Sequence, residues 1–131
     1  MKAIDYAKQC LINAEKKHEE FLTVNSEYQS FIRLPWYKRL MKHSVKKPEF
    51  YHNEFITLYI DNHHCVELRM NYWGLRREIV LAINEDYRGF RLDVDTLEKK
   101  PYLGRVEMEV SEEFLSYVMV LRNQLAPLLV E

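Results

Sequence analysis

Between residues 2 and 24 the apolar positions fall at Ile4, Ala7, Leu11, Ala14, Phe21 and Leu22, with His18 filling one step. A spacing of three and four predicts an amphipathic helix, because such positions share one face of a 3.6-residue repeat. Its other face carries Lys8, Glu15, Lys16, Lys17, Glu19 and Glu20, read as a solvated surface with ion pairs one turn apart. Asn25 and Ser26 interrupt the pattern and are expected to cap a second short helix over residues 27–34. Pro35 ends that helix and, since proline suits a first helical turn, starts a third over residues 35–45.

Past Pro48 the periodicity changes from helical to alternating, which predicts strands. Residues 54–60 place Ile56, Leu58 and Ile60 on one face and Phe55, Thr57 and Tyr59 on the other. Residues 65–72 set Val66, Leu68, Met70 and Tyr72 against Glu67, Arg69 and Asn71, with a hairpin turn over residues 61–64. Residues 77–84 and 87–94 follow, with Ile79, Leu81, Ile83, Phe90, Leu92 and Val94 on the apolar side. Gly74 suits a turn, and Gly89 near a strand start suggests a bulge. A fifth strand is expected over residues 105–110, where Val106, Met108 and Val110 alternate with Glu107 and Glu109. Ser111 then offers an N-cap hydroxyl, and Phe114, Leu115, Val118, Leu121 and Leu125 repeat at helical spacing until Pro127. The chain therefore reads as one α+β domain over residues 1–131. N-terminal helices and a C-terminal helix cover one face of an antiparallel meander of about five strands, and the other face is polar.

Composition supports an ordinary globular domain: 131 residues, 47% hydrophobic, 13% aromatic and 30% charged. Nineteen Lys and Arg against twenty Asp and Glu give a net charge of −1, which excludes a uniformly basic nucleic-acid binder. The longest apolar run, residues 79–83, is far short of a bilayer span, and the first residues lack the pattern of a signal peptide. No membrane association is expected. Cys10 and Cys65 have no close partner in sequence and read as reduced thiols, so a cytoplasmic location is expected.

Charge is nevertheless unevenly placed. Residues 31–47 hold Arg33, Lys38, Arg39, Lys42, Lys46 and Lys47 with no acid, interleaved with Phe31, Trp36, Tyr37 and His43. That segment is +6 and the rest of the chain −7. Cations beside aromatics suit an acidic protein surface, or phosphates with rings stacked on bases. The structural alternative is that Trp36 and Leu40, four apart, pack inward and leave an ordinary wet face. A second candidate is an apolar island on the charged sheet face, formed by Phe55, Tyr59, Trp73, Val80 and Ala82.

Other chemistry is poorly signalled. His52, His63, His64 and Cys65 match no zinc spacing, and sequence adjacency of His64 and Cys65 does not make a nucleophile and its base. Three glycines, at 74, 89 and 104, cannot write a P-loop or a dinucleotide fingerprint. Glu85/Asp86, Asp93/Asp95 and Glu112/Glu113 serve as turn, strand-surface and helix-start acids. No catalytic residue, metal or cofactor is assigned.

By elimination the leading expectation is a protein–protein interaction module acting stoichiometrically, such as an inhibitor, an adaptor or a toxin-neutralising immunity-type protein. Its candidate contact residues are Arg33, Trp36, Lys38, Arg39, Lys42, Phe55, Tyr59 and Trp73, facing a toxin or another acidic surface. A nucleic-acid-binding or regulatory domain using residues 31–47 is the alternative. A third reading is a small enzyme or ligand binder with a pocket between sheet and helices, and self-association is compatible with each.

Overall fold

The computed structural model describes residues 2–40, 46–101 and 109–129. Among the described residues a long helix α1 (Ala3–Ile32) and α2 (Trp36–Leu40) precede five strands, β1 (Tyr51–Ile60), β2 (His64–Trp73), β3 (Arg76–Glu85), β4 (Arg88–Asp93) and β5 (Lys99–Lys100). Helix α3 (Glu112–Leu125) follows and runs into a 3₁₀ turn, Ala126–Leu128. The sheet is an antiparallel meander in the order β1-β2-β3-β4-β5. The expected α+β single-domain architecture is the one observed.

The core lies on one face of the sheet. Leu68, Met70, Leu81, Ile83, Phe90 and Leu92 meet Ala7, Leu11 and Ala14 of α1 and Phe114, Val118, Leu121 and Leu125 of α3. Each fully buried aliphatic side chain contributes about 1.5–3 kcal/mol of transfer free energy. Ser111 caps α3 as expected, its hydroxyl accepting from the Phe114 amide at 3.3 Å.

Several expectations are corrected. Asn25 and Ser26 do not break the first helix, which runs through residue 32. Either residue costs only about 0.5 kcal/mol relative to alanine in a helix, and no glycine or proline interrupts the stretch. Glu15 is not on a wet face. It is buried and ion-pairs with Arg77 of β3. Residues 41–45, which include Lys42, His43 and the end of the expected third helix, lie outside the described residues, as do residues 102–108, which take in positions 105–108 of the fifth strand expected over 105–110. Among the described residues the strand after β4 is β5, in a segment read as a polar connection. The reversal comes early because Asp93 Oδ1 accepts from the amides of Asp95 and Thr96, each at 2.9 Å, and closes a tight turn.

The bulge is not at Gly89, which pairs in regular register with Asn84. It lies in β1, where the register shifts between Thr57 and Tyr59, so that Thr57 pairs with Glu67 and Tyr59 with Val66. An extra residue in one strand inverts the faces of everything after it. Ile60, expected inward, is 71% exposed as a result. The β3–β4 turn also starts one residue later than the alternation suggested. Asp86 and Tyr87 both take positive φ, 46° and 66°, in a two-residue hairpin turn that contains no glycine.

Candidate functional site

Helix α1 behaves as two pieces. From Ala7 to His18 it holds every buried residue of the helix: Ala7, Leu11, Ala14, Glu15 and His18. His18 Nε2 lies 2.9 Å from the Gly74 carbonyl, and its ring packs between Phe21, Phe50 and Tyr72. The Glu15–Arg77 ion pair sits beside Tyr72, whose phenol is pushed upward by burial and then by the Glu15 carboxylate. Beyond Phe21, which stacks on Phe50 at 5.5 Å, the helix runs past the β2–β3 end of the sheet and has no fully buried residue, although Asn25, Tyr28, Gln29 and Phe31 are partly covered. At 1.5 Å per residue this overhang reaches roughly 16 Å.

At its tip the chain turns through Arg33, Leu34 and Pro35 into α2. No residue of α2 is buried. Trp36 is 67%, Tyr37 53% and Leu40 75% exposed, with the cations Lys38 and Arg39 between them and Arg33 just before. Trp36 and Tyr37 meet edge to face at 6.0 Å. The inward packing of Trp36 against Leu40 does not occur.

The island expected on the charged sheet face does not form. Val80 and Ala82 are buried. Val80 pairs between Arg69 and Asp93, and Ala82 between Glu67 and Arg91. Long side chains of these cross-strand neighbours cover small apolar ones, tied together by ion pairs such as Arg69–Glu67 at 2.7 Å and Arg91–Glu78 at 3.5 Å. Phe55 stays exposed under the Arg69 guanidinium, 5.3 Å from its ring centroid. Trp73 is exposed at the end of β2, paired across strands with the exposed Tyr51.

Tyr59 is on the other side of the sheet. The bulge turns it towards α3, where its ring meets Tyr117 edge to face at 5.3 Å and its hydroxyl donates to Asp61 at 2.7 Å. The candidate residues thus separate into three places: Arg33, Trp36, Lys38 and Arg39 on the arm, Phe55 and Trp73 on the open sheet face, and Tyr59 near α3.

Around Tyr59 a polar cluster ties three elements together. Asp61 accepts from the amides of His63 and His64, both at 2.7 Å, and lies 3.0 Å from His64 Nδ1. These donors, led by the Tyr59 hydroxyl, hold its carboxyl well below the usual range. His64 Nε2 is 3.4 Å from Glu85, which accepts the Ser111 amide at 2.6 Å. Asp61 and, less strongly, Glu85 raise the His64 pKa, while the Ser111 amide lowers that of Glu85. His63 contacts Asp86 at 2.8 Å, and the Asp86 amide donates to the His63 carbonyl, strapping the two hairpin turns together.

This cluster is organised as a brace. Both His64 nitrogens face carboxylates, and the Cys65 thiol is pushed up by burial, so the adjacent pair is not an activated thiolate with its base. His52 contacts Glu54, His63 contacts Asp86 and His64 contacts Asp61. Among the described residues no three His, Cys, Asp or Glu side chains gather to hold a metal ion. No helix among them is long and apolar enough to cross a membrane.

Sequence reasoning left Tyr51 out of the open-face aromatics, although it shares period two with Phe55. It had no signal for Tyr117, whose contact with Tyr59 depends on the bulge. No family model, curated protein or solved structure matches the chain.

Proposed function

We propose that the protein is a stoichiometric protein-binding module that engages an acidic partner through the tip of its helical arm. The observation that carries this reading is the exposure of Trp36, Tyr37 and Leu40 beside Arg33, Lys38 and Arg39. Large aromatics with arginine are the residues that dominate binding energy at interfaces, and a flanking ring of cations steers and selects an acidic surface. A projecting position lets the tip enter a groove on a partner while the sheet stays outside. The exposed aliphatic Leu40 favours a protein groove over nucleic acid, where stacking and phosphate contacts would leave it unused.

An inhibitor, an adaptor or a toxin-neutralising immunity-type protein would act this way, since each needs only a complementary surface. The reading places the module in the cytoplasm on the ground that Cys10 and Cys65 are free thiols.

The test is capture from source lysate with the tagged chain, with and without nuclease, beside the Trp36→Ala/Leu40→Ala and Lys38→Glu/Arg39→Glu variants. A stoichiometric band that survives nuclease, is lost from both variants and weakens with salt is the expected result. Nuclease-sensitive recovery would replace the reading by nucleic-acid binding, and a band retained by both variants would move the interface off the arm.

A further inference from the structure

The cleft between the end of β1 and the first turns of α3 has the composition of a cation site. It has a volume of about 310 Å³ and is lined by Tyr59, His64, Ser111, Glu113, Phe114 and Tyr117. That is the small end of the range of about 300–1,000 Å³ found for ligand sites. Tyr59 and Tyr117 are both partly exposed and meet at 62°, so their two rings make the walls of a corner. The Tyr59 hydroxyl is anchored on Asp61, which fixes that wall before anything binds. Glu113 stands one helical turn before Tyr117 and therefore on the same side of α3. Among the described residues Glu113 forms no ion pair.

We propose that this corner binds an alkylated ammonium group, held against the faces of Tyr59 and Tyr117 and paired with the Glu113 carboxylate. Aromatic faces carry negative electrostatic potential, and a weakly hydrated quaternary ammonium gains most from them. The surroundings have the matching sign. Asp61, Glu85 and Glu113 outnumber the one imidazole, and His64 lies between the first two with both nitrogens engaged. An anion is disfavoured at the helix start, because the Ser111 amide is given to Glu85 and the next two residues, Glu112 and Glu113, bring carboxylates of like charge. This site is at the opposite end of the sheet from the arm, and it stands independently of the arm's role.

The experiment is a titration of the full chain with choline and with 3,3-dimethylbutan-1-ol, its neutral isostere, followed by amide NMR. Choline is expected to shift the amides of Tyr59 and of α3 near Tyr117 saturably, and the isostere to bind about tenfold more weakly or worse. Glu113→Gln and Tyr117→Leu are each expected to weaken choline about tenfold while the remaining amide spectrum stays native, which separates site loss from unfolding. Tighter binding of a trimethyllysine tripeptide than of choline would support the site and assign its cation to a protein side chain. Equal affinity for the isostere, no saturable shift, or shifts unchanged in both variants would overturn the proposal.

Discussion

The two halves of α1 share one backbone and differ in almost every other respect. The first half is clamped: Ala7, Leu11 and Ala14 reach the core, Glu15 pairs with Arg77, and His18 docks on Gly74. The second half overhangs the sheet and ends in α2, whose apolar residues face outward. Stability is therefore concentrated where the helix crosses the sheet, and the free surface where it has left it. A helix of 30 residues is longer than packing against this sheet requires, and the excess length is what presents the arm.

The sharpest break in this contrast should come from Arg77→Leu, which leaves the buried Glu15 without its guanidinium. Loss of one member of a buried pair costs about 3–5 kcal/mol, and urea unfolding should show it. A loss below about 1 kcal/mol would show that the pair is not what holds the first half down. Leu11→Ala should cost about 3 kcal/mol through lost transfer energy and the cavity left behind, read from the same unfolding midpoint. Ser111→Ala, which removes the α3 cap without touching α1, should cost about 1 kcal/mol.

The brace around His64 predicts a pH dependence whose sign follows from its partners. His64 holds its proton more firmly when folded, so its contribution is whole below the ordinary histidine value of about 6.5 and disappears as pH rises through the raised folded value. Asp61 and Glu85 are held low, so their contributions stand above the ordinary carboxylate range and disappear as pH falls. Thermal melts should show Tm declining on both sides of a mildly acidic plateau. His64→Gln should flatten the alkaline side, and an unchanged alkaline slope would place that titration elsewhere.

The smallest effect on folding should come from the arm. Trp36→Ala/Leu40→Ala should change stability by no more than about 0.5 kcal/mol, because neither side chain is buried, while abolishing partner capture. A large loss of stability would mean that the arm is packed in solution, and the contrast between the two halves would fail.

Most of the architecture was legible because burial imposes a period. Alternation in residues 65–72 and 77–84 located β2 and β3 to within one residue at each end, and the spacing from Phe114 to Leu125 located α3 with its serine cap. Legibility failed where one residue changes the meaning of many. The β1 bulge leaves the alternation of residues 54–60 looking regular while it turns Tyr59 to α3 and Ile60 to solvent. The basic aromatic segment was visible as a cluster of residue types, but whether Trp36 and Leu40 faced inward depended on what lay beside them.

What the sequence by itself determined is the class of fold, the place and order of β1 to β4 and of α3, and the uneven charge. Hydrophobic periodicity and capping residues act over a few positions and so can be read along the chain. Tertiary structure alone decided that Glu15 is buried, that α1 outruns the sheet, and that Tyr59 meets Tyr117 beside Glu113. Those outcomes depend on the angle at which a helix crosses a sheet and on a single shift of strand register, and both are set by packing between residues far apart in the chain.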